Sequence, residues 1–217
     1  MGTATQLLEE CRVAAIVQSP DRADLLARAL AAAQGGIKIL ALPISVPFVA
    51  EIAAEVADAA DVTVGICDVV KADHFNVAMA AGAEFVFSPV FDPELFETGR
   101  ARGIDVICSV STPNELRSAT SMHDGAICVV PAHGLGGPDY IAWLHRAFPG
   151  TRLIAMGGIG SDSAPQYIEQ GAVAVVVDRG LFPDTLDPEA NAVISMRAMA
   201  LVELCADART GERLSAV

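Results

Sequence analysis

Eight short apolar runs, each separated from the next by a stretch with helical spacing, leave this chain few folds to adopt. The runs cover residues 13–17, 37–42, 62–67, 84–88, 105–109, 126–130, 153–156 and 174–178. Amphipathic segments lie between them, among them 22–33, 47–57, 71–81 and 161–170. In the first of these, Leu25, Leu26, Ala29 and Leu30 fall on one stripe. Strands that alternate with helices pair in parallel, because each crossover returns the chain to the same end of the sheet. Seven units or fewer would favour an open sheet; eight predict a closed (β/α)8 TIM barrel, an α/β fold of about this length. Residues 3–11 predict an extra helix before the first strand, and 196–204 a final one.

Turn chemistry supports the same division. Gly35-Gly36, Gly82, Gly103, Gly125, Gly150 and Gly171 each stand between a helix and the following strand, where a left-handed cap stops a helix. Pro47, Pro93, Pro113 and Pro138 stand near helix starts, where a missing N–H costs little. No linker or low-complexity stretch interrupts residues 1–217, so one domain is expected.

Composition narrows the partners. The formal charge of −13 opposes nucleic acid and anionic lipid. A small anionic ligand would then need local donors working against the global field. No apolar stretch reaches the roughly 18 residues of a membrane span, and the acidic opening lacks the basic start of a signal peptide. The five cysteines, Cys11, Cys67, Cys108, Cys128 and Cys205, form no CxxC pair and are odd in number, which predicts a reducing cytoplasm. The four histidines show no metal-ligand spacing with them.

In barrels of this type the chemistry sits at the C-terminal ends of the strands. There, Met156-Gly157-Gly158-Ile159 after strand seven and Asp178-Arg179-Gly180 after strand eight form the sharpest pattern. Glycines let backbone N–H groups approach a phosphate, and Arg179 adds a charge-assisted donor. Gly157, Gly158, Arg179 and Gly180 are therefore the phosphate-binding candidates. The plain structural alternative is two tight turns and a surface arginine.

The chain resembles the 2-keto-3-deoxy-6-phosphogluconate / 4-hydroxy-2-oxoglutarate aldolase family. The resemblance rests on Gly35-Gly36-Ile37-Lys38-Ile39-Leu40, Ala81-Gly82-Ala83-Glu84-Phe85-Val86-Phe87-Ser88-Pro89, Ser111-Thr112-Pro113-Asn114-Glu115-Leu116, Val130-Pro131-Ala132 with Gly136-Gly137, and Gly157-Gly158-Ile159. It implies a carbon–carbon lyase acting on a small phosphorylated or 2-keto acid compound, and a homo-oligomer, commonly a trimer. It also implies a Schiff-base lysine on strand six, a proton-moving glutamate on strand two and arginines that hold a carboxylate. Those positions fall on Cys128, Ala41, Gln18 and Ser45, so the phosphate end matches the family and the reacting centre does not. A thiol forms no imine and an alanine moves no proton.

The remaining catalytic candidates are Asp68, His133 and Cys128. Asp68 follows strand three and is a general base, a magnesium ligand or a helix cap. His133 is a mouth-facing acid–base group or an ordinary loop histidine. Cys128 is a nucleophile or an inert core residue. Asp178 and His74 are weaker candidates. Of the two lysines, Lys38 belongs to the barrel's bottom and Lys71 to its top. No cofactor is expected beyond magnesium as an option. Non-catalytic binding of a phosphorylated ligand is the main alternative, and thiamine-phosphate synthase-like or sugar-phosphate epimerase-like barrels also fit Gly-Gly-Ile after strand seven.

Overall fold

The computed structural model describes residues 2–183 and 188–208; Met1, 184–187 and 209–217 of the single-domain expectation lie outside these. Eight parallel strands close into a barrel in sequence order: β1 Val13–Ile16, β2 Ile39–Pro43, β3 Thr63–Cys67, β4 Phe85–Ser88, β5 Asp105–Val110, β6 Ile127–Val129, β7 Leu153–Met156 and β8 Ala172–Val177. The seam is β1 against β8, with Val13 opposite Val175 and Ala15 opposite Val177. The TIM barrel read from the sequence is the observed fold.

Nine helices are described: α1 Thr3–Cys11, α2 Arg22–Gln34, α3 Val49–Ala59, α4 His74–Ala80, α5 Pro93–Arg102, α6 Pro113–Thr120, α7 Gly137–Ala147, α8 Ala164–Glu169 and α9 Pro188–Asp207. Three start later than the periodicity suggests, α8 among them, which opens at Ala164 and not at residue 161. Phe48 adopts a left-handed backbone with φ 58°, so α3 begins at Val49 and not at Pro47. Asp68 does the same with φ 63°, and turns follow before α4 opens at His74.

Successive side chains of a strand point to opposite faces, and the core accordingly splits in two. Ala14, Ile16, Ile39, Ala41, Cys67, Phe85, Phe87, Ile107, Cys128, Ile154, Ala174 and Val176 fill the lumen. Their neighbours Val13, Ala15, Leu40, Val86, Ile127, Val129 and Val175 pack outward against the helices. Gly65 admits the Phe85 ring, which would lie 2.4 Å from a Cβ placed there. Each fully buried large apolar side chain contributes roughly 1.5–3 kcal/mol, so the lumen is a packed core and not a pore.

The extra helix α1 closes the bottom. Its Ala4 and Leu8 join the lumen cluster. The Ala4 N–H donates to Asp105 Oδ2 at 2.9 Å, and the Ala126 N–H donates to Thr5 Oγ1 at 3.1 Å. Lys38 lies at this end in a surface ion pair with Asp61 at 2.8 Å, as expected for a structural lysine. Pro93, Pro113 and Pro138 occupy first turns as read. Gly103 caps α5 in the left-handed region at φ 69°. Gly35 differs, with φ −76°: close packing requires it, because an added Cβ would sit 2.4 Å from Ala198 Cβ on α9.

Candidate active site

The top of the barrel is built by residues just beyond the lumen layer. Two positions after Ile16 comes Gln18, and two after Val176 comes Asp178. Because β1 and β8 are paired, these residues meet. They line a cleft of about 470 Å³ with Ser19, Arg28, Arg179 and Phe182. Gln18, Ser19 and Pro20 also border a second cleft of about 630 Å³, whose other wall holds Pro43, Ser45, Pro47 and Asp68. A third, of about 530 Å³, lies between Pro89, Phe91, Ser109, Ser111 and Glu115.

The glycine loops interlock through their backbones. Gly157 and Gly158 have φ 93° and 75°. The Ala132 N–H donates to Met156 O at 2.7 Å and the His133 N–H to Gly157 O at 3.2 Å. A Cβ on Gly180 would lie 2.6 Å from Ile159 O. The glycines therefore allow the loops after β6, β7 and β8 to lie against one another. Gly158, Arg179 and Gly180 remain exposed at the mouth.

Of the three catalytic candidates one is buried and two are exposed. Cys128 is sealed in the lumen at 0% exposure, registered between Ser109 and Ile154. Burial, and then the nearby Cys108, push its thiol well above the ordinary thiol range. Burial likewise raises Cys108 to about 12 and Cys67 well above its usual value. A thiol held protonated is neither a nucleophile nor a metal ligand at neutral pH. Asp68 is exposed and lines the second cleft. His133 is exposed on the loop after β6, over Gly158.

Other candidates find structural work. His74 is half-buried, not simply on the surface, and its Nδ1 accepts from the Val70 N–H at 3.3 Å. Lys71 is exposed in the turn before α4. Thr112 and Glu115 form a capping box on α6. The two N–H groups of Ser111 and Thr112, each 2.8 Å from Glu115 Oε2, hold that carboxyl below its ordinary pKa. Among the described residues no group of three or more His, Cys, Asp or Glu is placed to hold a metal ion.

Arg28 is the site residue that sequence reasoning passed over. It lies on the buried stripe of α2 with Leu25, Ala29 and Ala32. Its Nε donates to Asp24 Oδ2 at 2.6 Å, and its Nη1 donates to Pro183 O at 3.0 Å. A cation on an otherwise apolar stripe was the available signal.

A family model described as "Aldolase: KDPG and KHG aldolase" matches residues 4–195. The chain belongs to this aldolase family. It is 30% identical over 169 residues to the 2-dehydro-3-deoxy-phosphogluconate aldolase of Treponema pallidum, covering 77% of this chain and 80% of that one. Its likeness to the corresponding enzyme of Zymomonas mobilis is 25% over 156 residues, covering 72% and 75%. The crystal structure of the Zymomonas mobilis ZM4 aldolase with 3-phosphoglycerate superposes with a TM-score of 0.84 at 21% identity, over 95% of this chain and 97% of that one. A thiamine phosphate pyrophosphorylase from Pyrococcus furiosus superposes at 0.71 with 17% identity, over 93% and 98%. These two superpositions show the shared barrel. No helix among the described residues is long and apolar enough to cross a membrane.

Proposed function

We propose that this aldolase-family barrel binds a small phosphorylated or 2-keto acid compound at its mouth and does so without imine chemistry. The lumen carries the reading. A Schiff base needs an amine at the reacting carbon, and the lumen-facing position on β6 is Cys128, with Ala41 in the same lumen cluster on β2. A thiol adding to a ketone gives a thiohemiacetal, which lacks the cationic nitrogen that would draw electrons from the breaking carbon–carbon bond. The ligand class follows from the relatives named as acting on 2-dehydro-3-deoxy-phosphogluconate and from Arg179 beside the exposed glycine loops. By the same resemblance we take the protein to be a homo-oligomer, a trimer.

Borohydride reduction in the presence of pyruvate tests this. No covalent adduct on either lysine is expected, together with calorimetric binding of a sugar phosphate that weakens in Arg179→Ala. An adduct on Lys71 overturns the imine-free reading, and unchanged binding in the variant removes Arg179 from the site.

Family membership over residues 4–195 favours a second reading, carbon–carbon cleavage by acid–base groups at the rim. Asp68 and His133 are its candidate groups, and Asp68 is the candidate oxygen ligand should magnesium assist. Retro-aldol activity that appears with added magnesium or manganese and falls in Asp68→Asn selects this reading.

A further inference from the structure

We infer that the cleft between the loops after β1, β2 and β3 seats a polyhydroxylated group and disfavours a carboxylate, with Asp68 as the residue that discriminates between them. The inference rests on the proposed binding of a small compound at the mouth and narrows its class: the end of the ligand held here carries hydroxyls, not the carboxylate of a keto acid. The cleft encloses about 630 Å³, within the range of small-ligand sites. Its polar lining is Gln18, Ser19, Ser45 and Asp68, and three prolines with Val46 supply the apolar walls. Among the described residues no lysine or arginine lines it; Lys71, in the turn after β3, stands outside the lining.

Asp68 enters this cleft on a left-handed backbone with φ 63°. That conformation costs a residue with a Cβ, and it persists only where the surroundings hold it. Among the described residues its side chain has one hydrogen bond, a long one from Cys67 Sγ at 4.0 Å. The two carboxylate oxygens therefore keep room for further donors. A hydroxyl of a ligand donates to them, whereas a carboxylate meets them as a like charge. The formal charge of −13 acts in the same sense. Ser19 Oγ accepts from the Asp21 N–H at 3.2 Å and keeps its own proton to donate. The serine hydroxyls and the Gln18 amide both donate and accept, as the hydroxyls of a polyol do. An ammonium group, which only donates, would leave the amide N–H groups without an acceptor.

Calorimetry with sorbitol 6-phosphate and 6-phosphogluconate tests this, because the two differ only in a terminal CH2OH against a carboxylate. The wild type is expected to prefer sorbitol 6-phosphate by about fivefold or more, the scale of repulsion between like charges about 4 Å apart in water. Asp68→Asn keeps a residue type that tolerates the left-handed backbone and removes the charge, so the two affinities should converge. Ser45→Asp adds a second carboxylate to the cleft and should widen the preference. Circular dichroism confirms that each variant folds. Equal or tighter binding of 6-phosphogluconate by the wild type overturns the inference. A preference that is undiminished in Asp68→Asn, or unchanged in Ser45→Asp, also overturns it and leaves the ligand reading standing. Binding of neither compound to the wild type overturns the ligand reading as well.

Discussion

Gly158 passes directly under His133: a Cβ added to the glycine would lie 2.9 Å from the histidine Cβ, and the glycine backbone is left-handed at φ 75°. Both features penalise any side chain. Gly158→Ala is expected to cost about 2 kcal/mol, from strain at positive φ and from displacement of the β6 loop. Urea unfolding measures the cost, and the NMR shift of the His133 ring reports the displacement. A neutral result in both would show that the two loops are not packed together in solution.

The α2–α9 contact makes a contrasting prediction about two glycines. Gly35 has an ordinary φ but no room, with Ser195 O 2.5 Å from an added Cβ, whereas Gly103 has φ 69° and nothing within 4 Å. Gly35→Ala should cost about 1–3 kcal/mol by overpacking. Gly103→Ala should cost about 1 kcal/mol by backbone strain alone. Adding a second, space-making change at Ala198, to Gly, should recover part of the first loss and none of the second.

The α6 capping box predicts a dependence on pH. The folded pKa of Glu115 is lowered by the N–H groups of Ser111 and Thr112. Its contribution is therefore fully present above the unfolded carboxylate pKa and is lost as the pH falls through the folded value. The stability gap between wild type and Glu115→Gln should be widest near neutral pH and close in acid. Thr112→Ala should cost about 1 kcal/mol at neutral pH. A gap that widens on acidification would contradict the hydrogen bonding seen at this cap.

Burial of Cys128 predicts inertness. Native protein treated with iodoacetamide near pH 8 should leave Cys128 unmodified by peptide mass mapping, and denatured protein should be alkylated there. Cys128→Ala should lower stability by about 1 kcal/mol while leaving the calorimetric binding of a sugar phosphate unchanged. Rapid native alkylation would mean that the lumen opens to solvent.

Much of the architecture was legible because strand and helix periodicities are local. A run such as Ala172–Val177 declares its burial in six residues, and Thr112-Pro113-Asn114-Glu115 declares a helix start in four. The departures arose where local signals are silent. Phe48 and Asp68 adopt left-handed backbones that neither residue type announces, and these shifted the starts of α3 and α4. The glycines after β7 read as phosphate turns, and packing against His133 supplied a second reason for them that no local pattern contains.

What the amino-acid order determined alone was the number of βα units, hence closure, and an apolar lumen that includes Cys128 and Ala41. Tertiary structure decided which residues share a cleft. Arg28 bonds to Pro183, 155 positions away, and lines one cavity with Gln18 and Arg179 only because β1 pairs with β8. Periodicity tells each side chain which face it occupies. Register and closure, which depend on contacts across the whole barrel, set which faces converge, and so they assembled that cleft while sealing Cys128 in the lumen and leaving Asp68 and His133 exposed.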